Sequence, residues 1–256
     1  KTTNPYRPRL IYRNVRLWAK YTTDANTISF HNASGGAGAN RMMVALYDCD
    51  LHIGGSGGAD ASSANAVICD GDTNGAGNGA ELYLNNCRGN VGGLIRFHIN
   101  NSAGDVEVDN CRISMFSLGS DITVSTLGNV IFRGGTITTT GYLLYVNGSG
   151  GHTLTIQGTS FRHTGATVWL RHVGGSTSPN TRIYIEGVDY SQSSTTLGAV
   201  TISPSASGSN HTLFIDSCSF ASDSANAATA VVVTGTNWLS SQIGNVAAPN
   251  FAATSS

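Results

Sequence analysis

Charge is scarce in this chain. Only 11% of its 256 residues are Asp, Glu, Lys or Arg, against roughly 25% in an average soluble domain, and Lys occurs only at Lys1 and Lys20. Fourteen basic and 15 acidic side chains leave a net charge of -1, so no overall field draws in nucleic acid or an anionic membrane. No apolar run reaches the ~18 residues that span a bilayer. The opening residues KTTNPYRPR hold neither a starting Met nor the apolar segment of a signal peptide, and the expectation is a soluble, excised or processed segment. Cys stands at five positions, 49, 69, 87, 111 and 218, an odd count that argues against a complete disulfide framework. A 3.6-residue period is also missing between the apolar runs, which removes the crossover helices of a βαβ sheet.

What the chain has in quantity is Gly, at 32 positions, and 40% hydrophobic residues, ample for a continuous core. The hydrophobic residues are not scattered. An eight-residue pattern recurs in which positions one, three, six and eight are apolar or small: LIYRNVRL (10–17), VALYDCDL (44–51), LYLNNCRG (82–89), VEVDNCRI (106–113), VIFRGGTI (130–137), LTIQGTSF (154–161), IYIEGVDY (183–190) and LFIDSCSF (213–220). Successive instances are 34, 38, 24, 24, 24, 29 and 30 residues apart. The shortest step sets the repeat at 24 residues, and the longer steps mark inserted loops.

Each pattern alternates with period two and breaks at position five, which reads Asn14, Asp48, Asn86, Asn110, Gly134, Gly158, Gly187 and Ser217. These residue types tolerate tight bends, so two short strands meet at a corner. About ten residues later comes a further alternating run, such as Ile95/Phe97/Ile99, Ile122/Val124, Leu144/Val146 and Val168/Leu170. That run supplies a third side. Equivalent strands without helices between them stack as a solenoid, here of about eight coils with three strands each, ~4.8 Å apart and so about 40 Å long. Position six then stacks Val15, Cys49, Cys87 and Cys111 in the core, small polarizable side chains filling a narrow interior and not a redox or metal site. The Asn and Asp residues of position five read as a hydrogen-bonded corner ladder.

The residues VEVDNCRI, LYLNNCRG and LFIDSCSF resemble the repeat of the pectin-lyase-like right-handed parallel β-helix superfamily, which includes pectinases, polysaccharide lyases and bacteriophage tailspikes. The resemblance covers residues 9 to about 236, and the right hand of the solenoid is implied by it alone. Residues 1–8 are expected as an extended lead-in and 237–256 as a C-terminal cap or linker. None of the polygalacturonase motifs NTD, DD, GHG and RIK occurs, nor does the pectate lyase WxDH signature or its clustered calcium-binding aspartates. The chain is thus most similar in character to tailspike or tail-fibre segments. That resemblance implies a homotrimer on a virion or cell surface, a surface polysaccharide as partner, and no cofactor.

Outward positions carry the candidate chemistry. Position four stacks Asp109 beside Arg133, an exposed ion pair, and Glu186 beside Asp216, two like charges one coil apart. Such a carboxylate pair shares a proton, holds a hard cation such as calcium, or splays into solvent. Glu107 and Asp109 are alternate residues of one strand, about 7 Å apart, a spacing compatible with inverting glycoside hydrolysis. Catalytic candidates, if the chain is a polysaccharide-degrading glycoside hydrolase or lyase, are therefore Glu107, Asp109, Glu186 and Asp216. The third side offers Arg96, His98, Tyr145, Trp169 and Arg171. Aromatic faces stack on sugar rings and guanidinium groups bind hydroxyls or carboxylates, so these five are the candidate glycan-binding residues. No metal constellation appears among the seven His. Position two also points outward yet reads Ile11, Ala45, Tyr83, Glu107, Ile131, Thr155, Tyr184 and Phe214; so apolar a row marks a homo-oligomer contact or a surface under the Gly-rich loops 54–66 and 70–80. After Val233 the pattern stops, and Trp238, Leu239 and Ile243 are expected to cover the open end of the core. Glycan binding or a structural role is favoured by the missing pectinase motifs; cleavage stays open.

Overall fold

The computed structural model describes residues 9–19, 28–31, 42–53, 65–70, 80–91, 93–99, 104–115, 120–124, 128–139, 144–148, 153–163, 170–174, 181–190, 200–203, 211–220, 231–233 and 238–244. All regular elements among them are β-strands, and all of their pairings are parallel. The strands fall into three sheets in strict rotation. From Arg9–Arg13 in the first sheet the chain passes to Arg16–Ala19 in the second and Ile28–His31 in the third. It then returns to the first as Met42–Tyr47, hydrogen-bonded beside the strand it started from. Among the described residues the sheets hold nine, eight and eight strands. This is solenoid-like stacking, in which every circuit of the chain lies on the one before.

The corner between the first and second sheets repeats in backbone detail. Position five is left-handed throughout, from φ 50° at Asn110 to φ 62° at Gly187, a region open to Gly, Asn and Asp and unfavourable for branched side chains. Its amide donates to the position-four carbonyl of the next circuit: Asn86 N to Asp109 O at 2.9 Å, Asn110 N to Arg133 O at 2.7 Å. The position-seven amide donates back to the position-six carbonyl of the previous circuit, as Arg112 N does to Cys87 O at 2.8 Å. The bend therefore leaves these backbone groups paired.

Position six has a second constraint. Its side chain reaches back to the carbonyl two residues earlier: Cys49 Sγ to Tyr47 O at 3.2 Å, Cys111 Sγ to Asp109 O at 3.4 Å, Thr159 Oγ1 to Gln157 O at 3.3 Å and Cys218 Sγ to Asp216 O at 3.1 Å. A small side chain with a donor fits there, which is why Cys and Thr recur. The four Cys of position six, Cys49, Cys87, Cys111 and Cys218, are free and buried; Cys69 lies in the third sheet, where side chains are outside the described residues.

Positions one and three form the core with six and eight. Val106, Val108, Cys111 and Ile113 are each at most 2% exposed, and so are Leu154, Ile156, Thr159 and Phe161. In the first circuit Leu10, Tyr12, Val15 and Leu17 are half-buried, because its strands have a described neighbour on one side only. At the other end the parallel pairing runs one strand further than the sequence pattern: Trp238–Gly244 pairs with His211–Asp216 through a one-residue slip after His211. Ser241 there stands at position one, opposite Leu213, and breaks the apolar pattern.

Candidate functional site

The four carboxylates expected to do chemistry lie on the first sheet, and hydrogen bonds occupy them. Arg133 is in register with Asp109 on the adjacent strand and forks across two of that strand's three acids, with Nε 2.9 Å from Asp109 Oδ1 and Nη2 on Glu107 Oε1. One cation was expected to neutralise one acid; it ties down two. Burial pushes the Asp109 carboxyl up from its ordinary range while the Asn85 side chain lowers it, and the guanidinium beside it also favours the ionised form. On the next acids along, the register places Glu186 opposite Asp216 as anticipated, yet each has its own partner. Gln157 Nε2 donates to Glu186 Oε2 at 2.9 Å, and Ser217 Oγ donates to Asp216 Oδ2 at 2.9 Å. Position four thus forms a polar ladder along the sheet, which begins with the Arg13 guanidinium 4.1 Å over the Tyr47 ring.

Position two is less open than expected. Ala45 is fully buried, Tyr83, Ile131, Thr155 and Phe214 are half-buried, and Glu107 is held by Arg133. Ile11 and Tyr184 remain exposed, with the Tyr184 and Phe214 rings tilted at 46° and 6.4 Å apart. Residues 54–64 and 71–79, expected to cover this row, lie outside the described residues.

On the third sheet the backbone register brings three of the five glycan candidates into one row. Arg96 is opposite Asp121, Asp121 opposite Tyr145, and Tyr145 opposite Arg171. His98 belongs to the adjacent row, with Thr123, Asn147 and Val173. Two expectations are corrected. Ile122 and Val124 pair with Phe97 and Ile99 and not with Ile95 and Phe97, which puts Asp121 and not Thr123 opposite Arg96; and the run that starts at Val168 is the strand Leu170–Gly174, two residues later. Trp169, the aromatic expected to anchor the row, lies outside the described residues. Both slips are even, so the inward and outward sets stay self-consistent and alternation cannot reveal them.

A charged row on the second sheet went unnoticed in the sequence. Position seven stacks Arg16, Asp50, Arg88 and Arg112 in register. Asp50 accepts from Arg88 through both oxygens, with Nη2 at 3.3 Å, and from Arg16 Nη2 at 3.4 Å. The Arg88 hydrogen bond holds its carboxyl below the usual range. An acidic pair was missed as well: Glu81 and Asp105 face each other across adjacent strands of the first sheet. Beside them burial, then these two charges, raise the Tyr83 phenol. The signal was present in both cases, at position seven within the pattern for the first and just before position one for the second.

An IPT/TIG domain model matches residues 138–230, a minority of the chain. The match begins inside the strand Thr136–Thr139, with no break in the parallel stacking there: Thr153–Gln157, within it, pairs with Asn129–Arg133 outside it and with Arg182–Glu186 inside it. Immunoglobulin-like sandwiches are antiparallel, so the match reflects short alternating strands and carries no function across. No curated protein and no solved structure matches the chain.

Proposed function

We propose that the chain is a right-handed parallel β-helix of about eight coils, of the pectin-lyase-like kind. In this reading it serves as a tailspike- or fibre-like segment on a virion or cell surface and binds an acidic surface glycan along its third sheet. The observation that carries the reading is the register row of Arg96, Asp121, Tyr145 and Arg171. Two guanidinium groups, a carboxylate and a phenol recur at the ~4.8 Å spacing of stacked strands, on the scale of successive polar groups along a sugar chain. Binding without cleavage is supported by the first sheet, where Arg133 occupies Glu107 and Asp109. The depolymerase alternative rests on Glu186 opposite Asp216. Oligomerisation, as a homotrimer, uses Tyr184 and Phe214 of position two.

The deciding experiment presents the purified protein with a panel of acidic and neutral bacterial polysaccharides and follows retention and chain length together. Retention of acidic polymers at unchanged length, weakened about tenfold or more by Arg171→Gln, is the expected result. Shortened chains would replace it with the depolymerase reading.

A further inference from the structure

A second polar surface lies away from the third sheet, at the corner between the first and second sheets. A groove of about 370 Å³ runs there along the ladder of position-five side chains, lined by Asp48, Asn86 and Asn110 on one side and by Arg88 and Arg112 on the other. Its volume is within the roughly 300–1,000 Å³ of small-ligand sites.

The two arginines are directly opposite in register on adjacent strands. Like charges so placed repel. Arg88 is held by Asp50 through Nε and Nη2, which fixes its plane, while the Arg112 guanidinium makes no hydrogen bond or ion pair to a described residue. The opposite wall differs in chemistry. Asp48 accepts from Asn86 Nδ2 at 2.6 Å, and a carboxylate is an acceptor only. A ligand that fills the groove must therefore bring an anionic group for the guanidinium pair and hydroxyl donors for Asp48 on the other wall. Hydrogen phosphate supplies the first but only a single hydroxyl for the second, where a sugar ring supplies several. A polynucleotide would meet a chain of net charge -1 with Asp48 inside the groove.

We infer that this corner groove is a binding site for a uronate-type sugar residue, its carboxylate bridging Arg88 and Arg112 and its ring hydroxyls meeting Asp48, Asn86 and Asn110. The inference shares with the preceding section the class of ligand, an acidic glycan, and not the site.

Calorimetric titration of the full chain with a galacturonate tetramer, a neutral glucose tetramer and inorganic phosphate tests it. The acidic tetramer should bind, and Arg112→Gln should weaken it about tenfold or more, the scale of one lost charged hydrogen-bonded pair. Arg112→Lys should recover only part, because the planar fork is gone, and Arg171→Gln should leave this binding unchanged. Arg112 is exposed, so both corner variants should melt with the wild type. No binding of the acidic tetramer, an unchanged affinity in Arg112→Gln, or phosphate or the neutral tetramer bound as tightly would each overturn the corner site. A loss confined to Arg171→Gln would overturn it too while leaving the third-sheet reading intact.

Discussion

At the scale of single residues, the glycines divide sharply by what surrounds them. A Cβ on Gly89 would overlap the Leu51 carbonyl, and one on Gly135 the Cys111 carbonyl, both of them backbone atoms that cannot yield. Gly158, at φ 60°, has nothing within 4 Å of that direction. Chemical denaturation should therefore show Gly89→Ala and Gly135→Ala losing more than about 3 kcal/mol each, and Gly158→Asn changing by no more than about 1 kcal/mol, since Asn tolerates this backbone region. The Arg88–Asp50 pair makes a pH prediction at the same scale. The Asp50 carboxyl is depressed by the Arg88 hydrogen bond, so whatever it adds to stability is present above the ordinary carboxylate value of ~3.9 and fades as pH falls through its lower folded value. NMR titration should find Asp50 protonating below that value, and Arg88→Gln should move it back up. A carboxyl that titrates normally in the wild type would show that the pair does not persist in solution.

At the scale of the repeating element, the corner explains the pattern better than apolarity does. Asn, Asp, Ser and Gly stand at position five because its backbone is left-handed, and the Cys and Thr of position six place a donor on the carbonyl two residues back. The same geometry sets thiol chemistry. The neighbouring Cys87 thiol and then burial push Cys111 far above the thiol range, the same neighbour draws Cys87 down against its own burial, and burial raises Cys49 and Cys218. Native protein should react with a thiol reagent at these four positions only as fast as it unfolds, and all at once in denaturant. Rapid labelling of Cys87 in the native state would contradict the stacking. Much of this element was legible beforehand, since the eight-residue pattern names both the bend and the buried positions. The third strand was less legible: the 168–171 and 170–174 frames differ by two residues, and both keep the same alternation.

At the scale of the molecule, the proposed trimer and the proposed absence of cleavage make separate predictions. Tyr184 is exposed and its ring is tilted beside that of Phe214, so sedimentation should show a trimer at micromolar concentration that Tyr184→Glu weakens by placing a charge in the contact. A wild-type monomer would leave position two as a merely half-covered row. Replacing Glu107, Asp109, Glu186 and Asp216 singly by their amides should leave glycan chain length unaffected. Loss of cleavage in one of them would restore the enzyme reading and name its acid. The sequence by itself determined the repeat, the sheet-forming runs, the bend residues and the inward set, because each depends on contacts within one circuit or on identical positions of neighbouring ones. Only the tertiary structure decided which outward side chains of the third sheet meet and how many groups each charged side chain holds. Loops of different length precede the third-sheet strands, so the partner of Tyr145 depends on a register that spacing along the chain does not encode, whereas the eight-residue pattern already sets Arg133 beside Asp109. Thus Arg133 spans two acids, Asp121 enters the third-sheet row, and Arg112 stands beside Arg88.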